Sequence, residues 1–153
     1  GVSDEANALL IVPSDQSLYV AGDMKGIGTC AAVAQVVNIG RAEAYPTVQF
    51  RNAGGGTVRV FQFANTLTND YLYFDNLVLQ SGERATLALS PGARSFTSTG
   101  QGNIFGKILP GSNLTTWRLL PGTNWVSTFA DSDSLRIDIN WTPRFWSSDG
   151  TVT

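Results

Sequence analysis

Histidine is absent from this chain of 153 residues, and cysteine occurs once, at Cys30. Without histidine there can be no Ser-His-Asp or Cys-His nucleophile system and no imidazole metal ligand. A lone cysteine allows neither an intrachain disulfide nor a cysteine zinc site. Beside Ala31, Ala32 and Val33 it reads as a small buried hydrophobe. Charge is scarce too: charged residues make up 14% of the chain, against about 25% in an ordinary globular domain. The surface must then be covered by Ser, Thr, Asn, Gln and Gly. Such a composition suits all-β extracellular or virion modules better than cytosolic helical enzymes. The ten basic residues stand singly along the sequence and the net charge is −2. No Lys/Arg stripe is there to meet a phosphate backbone, and nucleic acid is not an expected partner. The longest apolar runs, near Leu9–Val12 and Cys30–Val37, fall well short of the roughly 18 residues that span a bilayer, so no membrane insertion is expected. No signal-peptide pattern opens the chain. Gly1 in place of a starting methionine reads as the scar of cloning or of a cleaved tag, on a fragment of a longer protein.

What the chain does have is concentrated between Ile108 and Trp146, which holds all four tryptophans and three of the six prolines. The pentapeptides Leu109-Pro-Gly-Ser-Asn113 and Leu120-Pro-Gly-Thr-Asn124 recur eleven residues apart. Pro-Gly presets φ at the first central turn position and permits positive φ at the second, as a type II turn requires. Leu114 to Leu119 is the length of one strand, and Trp125 to Phe129 of another. Leu135, Ile137, Ile139 and Trp141 then alternate with Arg136, Asp138 and Asn140, a period-2 strand with one apolar face.

The rest of the chain follows the same plan. Ala8 to Val12 and Ser17 to Val20 are short β-prone pieces, and Ala21 to Gly28 reads as loop. Thr29 to Val37 is divided between helix-favouring alanines and a strand-favouring end, and is taken as a strand. Tyr45 to Phe50 is a strand, Asn52 to Gly56 a hairpin loop, and Thr57 to Phe63 the returning strand. The glycine triplet lacks the Lys-Ser/Thr of a phosphate loop. Tyr71 to Phe74, Leu77 to Leu79, Arg84 to Leu89 and Ala93 to Ser98 complete about ten short strands, with no strong helical period. The expected fold is all-β: an antiparallel β-sandwich or jelly roll.

A β-sandwich can be a glycosidase, which needs two carboxylates about 5–10 Å apart in a cleft. Asp70 and Asp75 flank one strand, Asp131 and Asp133 lie in a polar turn without calcium-loop spacing, and Asp138 faces away from the apolar side of its strand. Each is expected to form a turn or face solvent. No catalytic, cofactor or metal residues are assigned. The aromatics offer more. Exposed Trp or Tyr rings can stack on sugars or seat a partner. Parity sends Trp117 and Trp141 to the core. It leaves Tyr71, Tyr73, Trp125 and Trp146 as candidate saccharide- or partner-contacting residues.

Several features occur in one linear order: Val37-Asn-Ile-Gly40, Glu43-Ala-Tyr-Pro46, Ser81-Gly-Glu83, Gly102-Asn103, Leu109-Pro-Gly111 and Leu119-Leu-Pro-Gly-Thr-Asn124. The ending Ile139-Asn-Trp-Thr-Pro-Arg-Phe-Trp146 with Asp149-Gly150 completes the series. From about Val37 to Gly150 the chain resembles the C-terminal part of siphophage distal tail proteins and prophage phage tail components. The resemblance implies a galectin- or carbohydrate-module-like sandwich, here residues 29–153. Residues 1–28 match the pattern poorly and are taken as an N-terminal extension of short strands and loop, packing on the domain or leading into it. The resemblance also implies a missing N-terminal domain that assembles into a ring. The whole protein would be a homo-oligomeric hub joining tail tube and baseplate, without enzymatic activity or cofactor, and this fragment a monomer. Its location would be the virion, after assembly in the bacterial cytoplasm. Partners would be other tail and baseplate proteins, with a cell-wall saccharide as the alternative ligand. Galectins bind galactosides through a set that includes histidine, so the resemblance carries fold and assembly role further than sugar binding.

Overall fold

The computed structural model describes residues 6–12, 17–22, 30–132 and 134–144. These form eleven strands: β1 (Ala6–Val12), β2 (Ser17–Gly22), β3 (Cys30–Asn38), β4 (Thr47–Asn52), β5 (Val58–Asn65), β6 (Asp70–Leu79), β7 (Arg84–Ala88), β8 (Ser95–Ser98), β9 (Gly102–Asn103), β10 (Gly122–Ala130) and β11 (Leu135–Asn140). One 3-10 turn, Phe105–Lys107, is added to them. The strands make two antiparallel sheets, ordered β1-β2-β11-β4-β7-β8-β9 and β3-β10-β5-β6. The protein is an antiparallel β-sandwich. No helix among the described residues is long and apolar enough to cross a membrane. The side chain of Cys30, expected to be buried, lies outside what is described.

Alternation decides which face each strand buries. On β11, Leu135, Ile137 and Ile139 are buried while Arg136, Asp138 and Asn140 are half-buried on the other face. Between the sheets sits a ring cluster. Phe50 of one sheet meets Phe63 and Phe74 of the other edge-on, at centroid distances of 5.4 and 5.7 Å. Phe96 closes on Phe74 at 5.5 Å, and Trp117 stacks on Phe63 at 5.0 Å. Each of these rings removes enough apolar surface from water to contribute about 2–3 kcal/mol.

Two expectations fail. Residues 52–56 are not a hairpin loop, because β4 pairs with β11 and β7 whereas β5 pairs with β10 and β6. The loop is a corner that carries the chain from one sheet to the other. Buried Asn52 builds it: its Nδ2 donates to the carbonyls of Gly56 (2.7 Å) and Leu79 (3.0 Å), and its Oδ1 accepts from Gly54 N–H (2.9 Å). Residues 114–119 are not a strand either. The Asn113 carbonyl accepts from Thr116 and Trp117 N–H, which winds the segment into a turn, and Leu119 makes only an isolated bridge with Ala44.

The Pro-Gly turns behave as the sequence predicts at their glycines. Gly111 and Gly122 both have φ of +92°, a region that costs a side chain about 1–2 kcal/mol. A Cβ on Gly122 would meet nothing within 4 Å, so the cost is conformational and not steric. Gly122→Ala is therefore expected to lower the unfolding free energy by about 1–2 kcal/mol in urea titration. An unchanged midpoint would remove the turn assignment.

Candidate functional site

Strand alternation on the four-stranded sheet turns Asn124, Val126, Thr128 and Ala130 inward. The other face of the same strand shows Trp125, 46% exposed, and Phe129, 40% exposed. On β3, Gln35 pairs with Trp125 and Val33 with Ser127, and Val33 is 55% exposed. On β6, Leu72 and Phe74 face the core, which sends Tyr71 and Tyr73 outward. Register then brings the two sets together. Ala64 of β5 pairs with both Ser127 and Tyr71, and Gln62 pairs with both Phe129 and Tyr73. Small or polar side chains thus separate the β10 rings from the β6 rings across one continuous surface.

The two tyrosines are held firmly. Their rings lie nearly parallel, 8° apart, with centroids 6.1 Å from each other. β6 is the last strand of its sheet, and its free edge is closed by residues 108–113. Leu109 N–H donates to the Tyr73 carbonyl and Asn113 N–H to the Tyr71 carbonyl, both at 2.8 Å. Tyr71 N–H donates to Asn113 Oδ1 and Tyr73 N–H to Ser112 Oγ, both at 2.9 Å. The first Pro-Gly pentapeptide thus spends its Ser and Asn on the backbone of the two exposed tyrosines. It also removes an open edge that would invite strand pairing. Of the four candidate aromatics, Tyr71 is half-buried, Tyr73 and Trp125 are exposed, and all three share this face. Trp146 lies outside the described residues. Phe129 and Val33 were not among the candidates, although Phe129 has the parity of Trp125.

The carboxylates do not gather. Asp70 is buried at the start of β6, where its Oδ1 accepts from Thr116 Oγ1 (2.7 Å) and its Oδ2 faces Arg118 at 3.4 Å. Asp75 is exposed on the opposite face of β6. Asp131 accepts from Arg59 N–H at 2.7 Å, and Asp138 lies on the outer face of the other sheet. Asp133 lies outside the described residues. Arg118 also binds Glu43 at 2.9 Å, joining two carboxylates in a cluster whose partners are all within the fold. Among the described residues no group of three or more His, Cys, Asp or Glu could hold a metal ion.

Glu83, which its place after Gly82 at a turn marks as a turn-former or solvated residue, is instead buried. Burial pushes its carboxyl pKa up. Hydrogen bonds from Ser98 Oγ, Gln80 N–H (2.8 Å) and Gln101 Nε2 (2.7 Å), with the charge of Lys107, outweigh that and hold it below the ordinary glutamate range. These bonds fasten the turn at 80–83 to the one at 99–101, under a polar groove of about 470 Å³. Because its oxygens are so fully engaged, Glu83 serves as a clamp between two turns.

No protein-family model matches the chain, and no curated protein matches it. Among solved structures it is similar to the SPP1 Dit protein (gp 19.1), described as a paradigm of the hub adsorption apparatus in phages infecting Gram-positive bacteria. The identity is 13% and the TM-score 0.49, over 84% of this chain and 49% of that one. The chain therefore spans about half the length of that protein.

Proposed function

We propose that the chain is a structural module of a phage tail tip, the peripheral β-sandwich of a distal-tail-type protein, and that it docks another tail protein through the outer face of β3-β10-β5-β6. Residues 29–153 are the module, and β1 and β2 of the preceding residues 1–28 add two strands to one edge of its seven-stranded sheet. A ring-forming domain of the whole protein would precede both. The role is assembly and not catalysis, and its place is the virion.

The observation that carries the reading is the shared face of Tyr71, Tyr73, Trp125 and Phe129. Aromatic rings displayed on a hydrogen-bonded sheet are preorganised, and large exposed rings are the residues on which interface energy concentrates. The tail assignment is supported by the ordered motifs from Val37 to Gly150. Among them, Asn38, Glu43, Glu83 and Asn124 each hydrogen-bond to a segment distant in the chain: Leu119, Arg118, Gln101 and Asn65 respectively. Motif residues with that role specify an architecture and do not define a ligand pocket.

The test is calorimetric titration of the chain with the purified baseplate and receptor-binding proteins of its own phage. Trp125→Ser and Tyr73→Ser are each expected to weaken one such complex at least about tenfold with the thermal midpoint kept. A complex unaffected by both would move the docking face elsewhere. The alternative, a saccharide site, is favoured by the parallel tyrosine rings beside an exposed tryptophan. It predicts quenching of Trp125 fluorescence by soluble cell-wall fragments, and flat titrations would exclude it.

A further inference from the structure

The outer face of the seven-stranded sheet carries a charge pattern that packing does not require. Arg51 of β4 stands directly opposite Arg136 of β11 and, on its other side, directly opposite Arg84 of β7. Three guanidinium groups therefore share one row across three neighbouring strands, which lie about 4.8 Å apart in the hydrogen-bonding direction. With Gln49 and Asp138 they line a pocket of about 300 Å³. Three of the ten basic residues in an acidic, charge-poor chain meet there, with a single carboxylate among the described lining residues.

Like charges placed directly opposite on a sheet face destabilise it. The fold offsets only part of this. Arg136 donates to the Leu135 carbonyl at 3.1 Å, and both it and Asp138 have further interactions within the chain. Arg51 and Arg84 differ: among the described residues neither guanidinium has a hydrogen-bond or ion-pair partner. Their inward neighbours Phe50 and Ala85 do the packing. Asp138 sits on β11, two strands from Arg84, so its negative charge is farthest from the Arg84 end of the row.

We propose that Arg51, Arg84 and Arg136 form an oxyanion-binding site, seated over the Arg51–Arg84 end, for a phosphate or carboxylate group laid across the seven-stranded sheet. Planar guanidinium forks match such groups with paired N–H donors, and adjacent forks share one anion without crowding. The site is shallow and wet, so binding of a small ion is weak and falls as salt rises. It lies on the opposite sheet from the aromatic face, and each can fail without the other.

The test uses the 153-residue chain at low ionic strength, titrated with inorganic phosphate and separately with acetate. Sodium chloride at matched ionic strength is the reference. Arginine Nε–Hε NMR signals and the thermal midpoint are followed. We expect saturable shifts at Arg51 and Arg84 and a raised midpoint with at least one of the two oxyanions. Arg51→Gln/Arg84→Gln is expected to lose at least about tenfold in affinity, while Arg41→Gln, at an exposed site elsewhere, binds as the parent does. Tighter phosphate assigns a phosphate-bearing source, and tighter acetate a carboxylate-bearing one. Shifts that grow without saturation and match those in chloride overturn the site, as does a double variant that binds fully. If the double variant fails to fold, Arg84→Gln, at the exposed first residue of β7, makes the same comparison.

Discussion

Trp117→Ala is expected to lower the unfolding free energy by about 3–5 kcal/mol, as large-to-small changes at buried aromatics do. Trp117 is fully buried and stacks on Phe63, itself in the ring cluster that joins the two sheets. It also sits in an irregular segment fastened mainly by polar contacts: the bridge at Leu119, the bonds of residues 108–113 to β6, Thr116 and Arg118 on Asp70, and Asn65 on the Arg118 carbonyl. Removing the indole therefore opens a cavity and takes away the largest apolar anchor of a long crossing between β9 and β10. The indole Nε1 makes no hydrogen bond within the described fold, so a phenyl ring gives up no polar contact. Trp117→Phe should cost well under half as much as Trp117→Ala in the same denaturant titration. Hydrogen exchange adds a second readout, because the amides of Tyr71 and Tyr73 should lose protection in the alanine variant. A cost below about 1.5 kcal/mol, with those amides still protected, would show that the segment is held elsewhere.

Local chemistry was legible in the sequence, and partner choice was not. The alternation at Leu135–Trp141 placed one face of β11 and Trp141 in the core correctly, whereas Trp117 is buried from a turn and not from the strand its parity assumed. Residues 52–56 show the limit. A glycine-rich loop after an asparagine closes a hairpin or turns a corner equally well, and the choice depends on which strands share a sheet. Residues 114–119 have strand length and β-prone residues, but Asn113 captures the amides that a strand would need. The candidate site divides in the same way. Single-strand parity was enough to turn Trp125, Tyr71 and Tyr73 to the outer face, and the same rule applied to β10 reaches Phe129. Their meeting on one face depends on Ala64 and Gln62 each pairing with both neighbours, a matter of sheet order. The arginine row depends on order alone, since Arg51, Arg84 and Arg136 are far apart in the chain and adjacent only when β11, β4 and β7 lie side by side.

Sheet order also separates the two asparagines of the repeated pentapeptide, and this sets the second large effect. Asn124→Ala is expected to cost about 3 kcal/mol, against about 1 kcal/mol or less for Asn113→Ala. Asn113 is exposed, and water can replace it at the edge of β6. Asn124 is fully buried. Its Nδ2 donates to the carbonyls of Leu120 (2.8 Å) and Gly122 (3.1 Å), and its Oδ1 accepts from Leu120 N–H (2.9 Å) and Asn65 Nδ2 (3.0 Å). Asn65 in turn donates to the Arg118 carbonyl at 2.8 Å, so one side chain locks the second Pro-Gly turn, the end of β5 and the Trp117 segment together. Truncation leaves the Leu120 N–H and one or more carbonyls without partners where solvent cannot reach, and an unmet buried group costs about 1–3 kcal/mol. Asn124→Leu should do no better, because added apolar volume leaves the same groups orphaned. Equal costs at Asn113 and Asn124 would mean that the buried network is dispensable. The second turn would then be fixed by Pro121 and Gly122 alone.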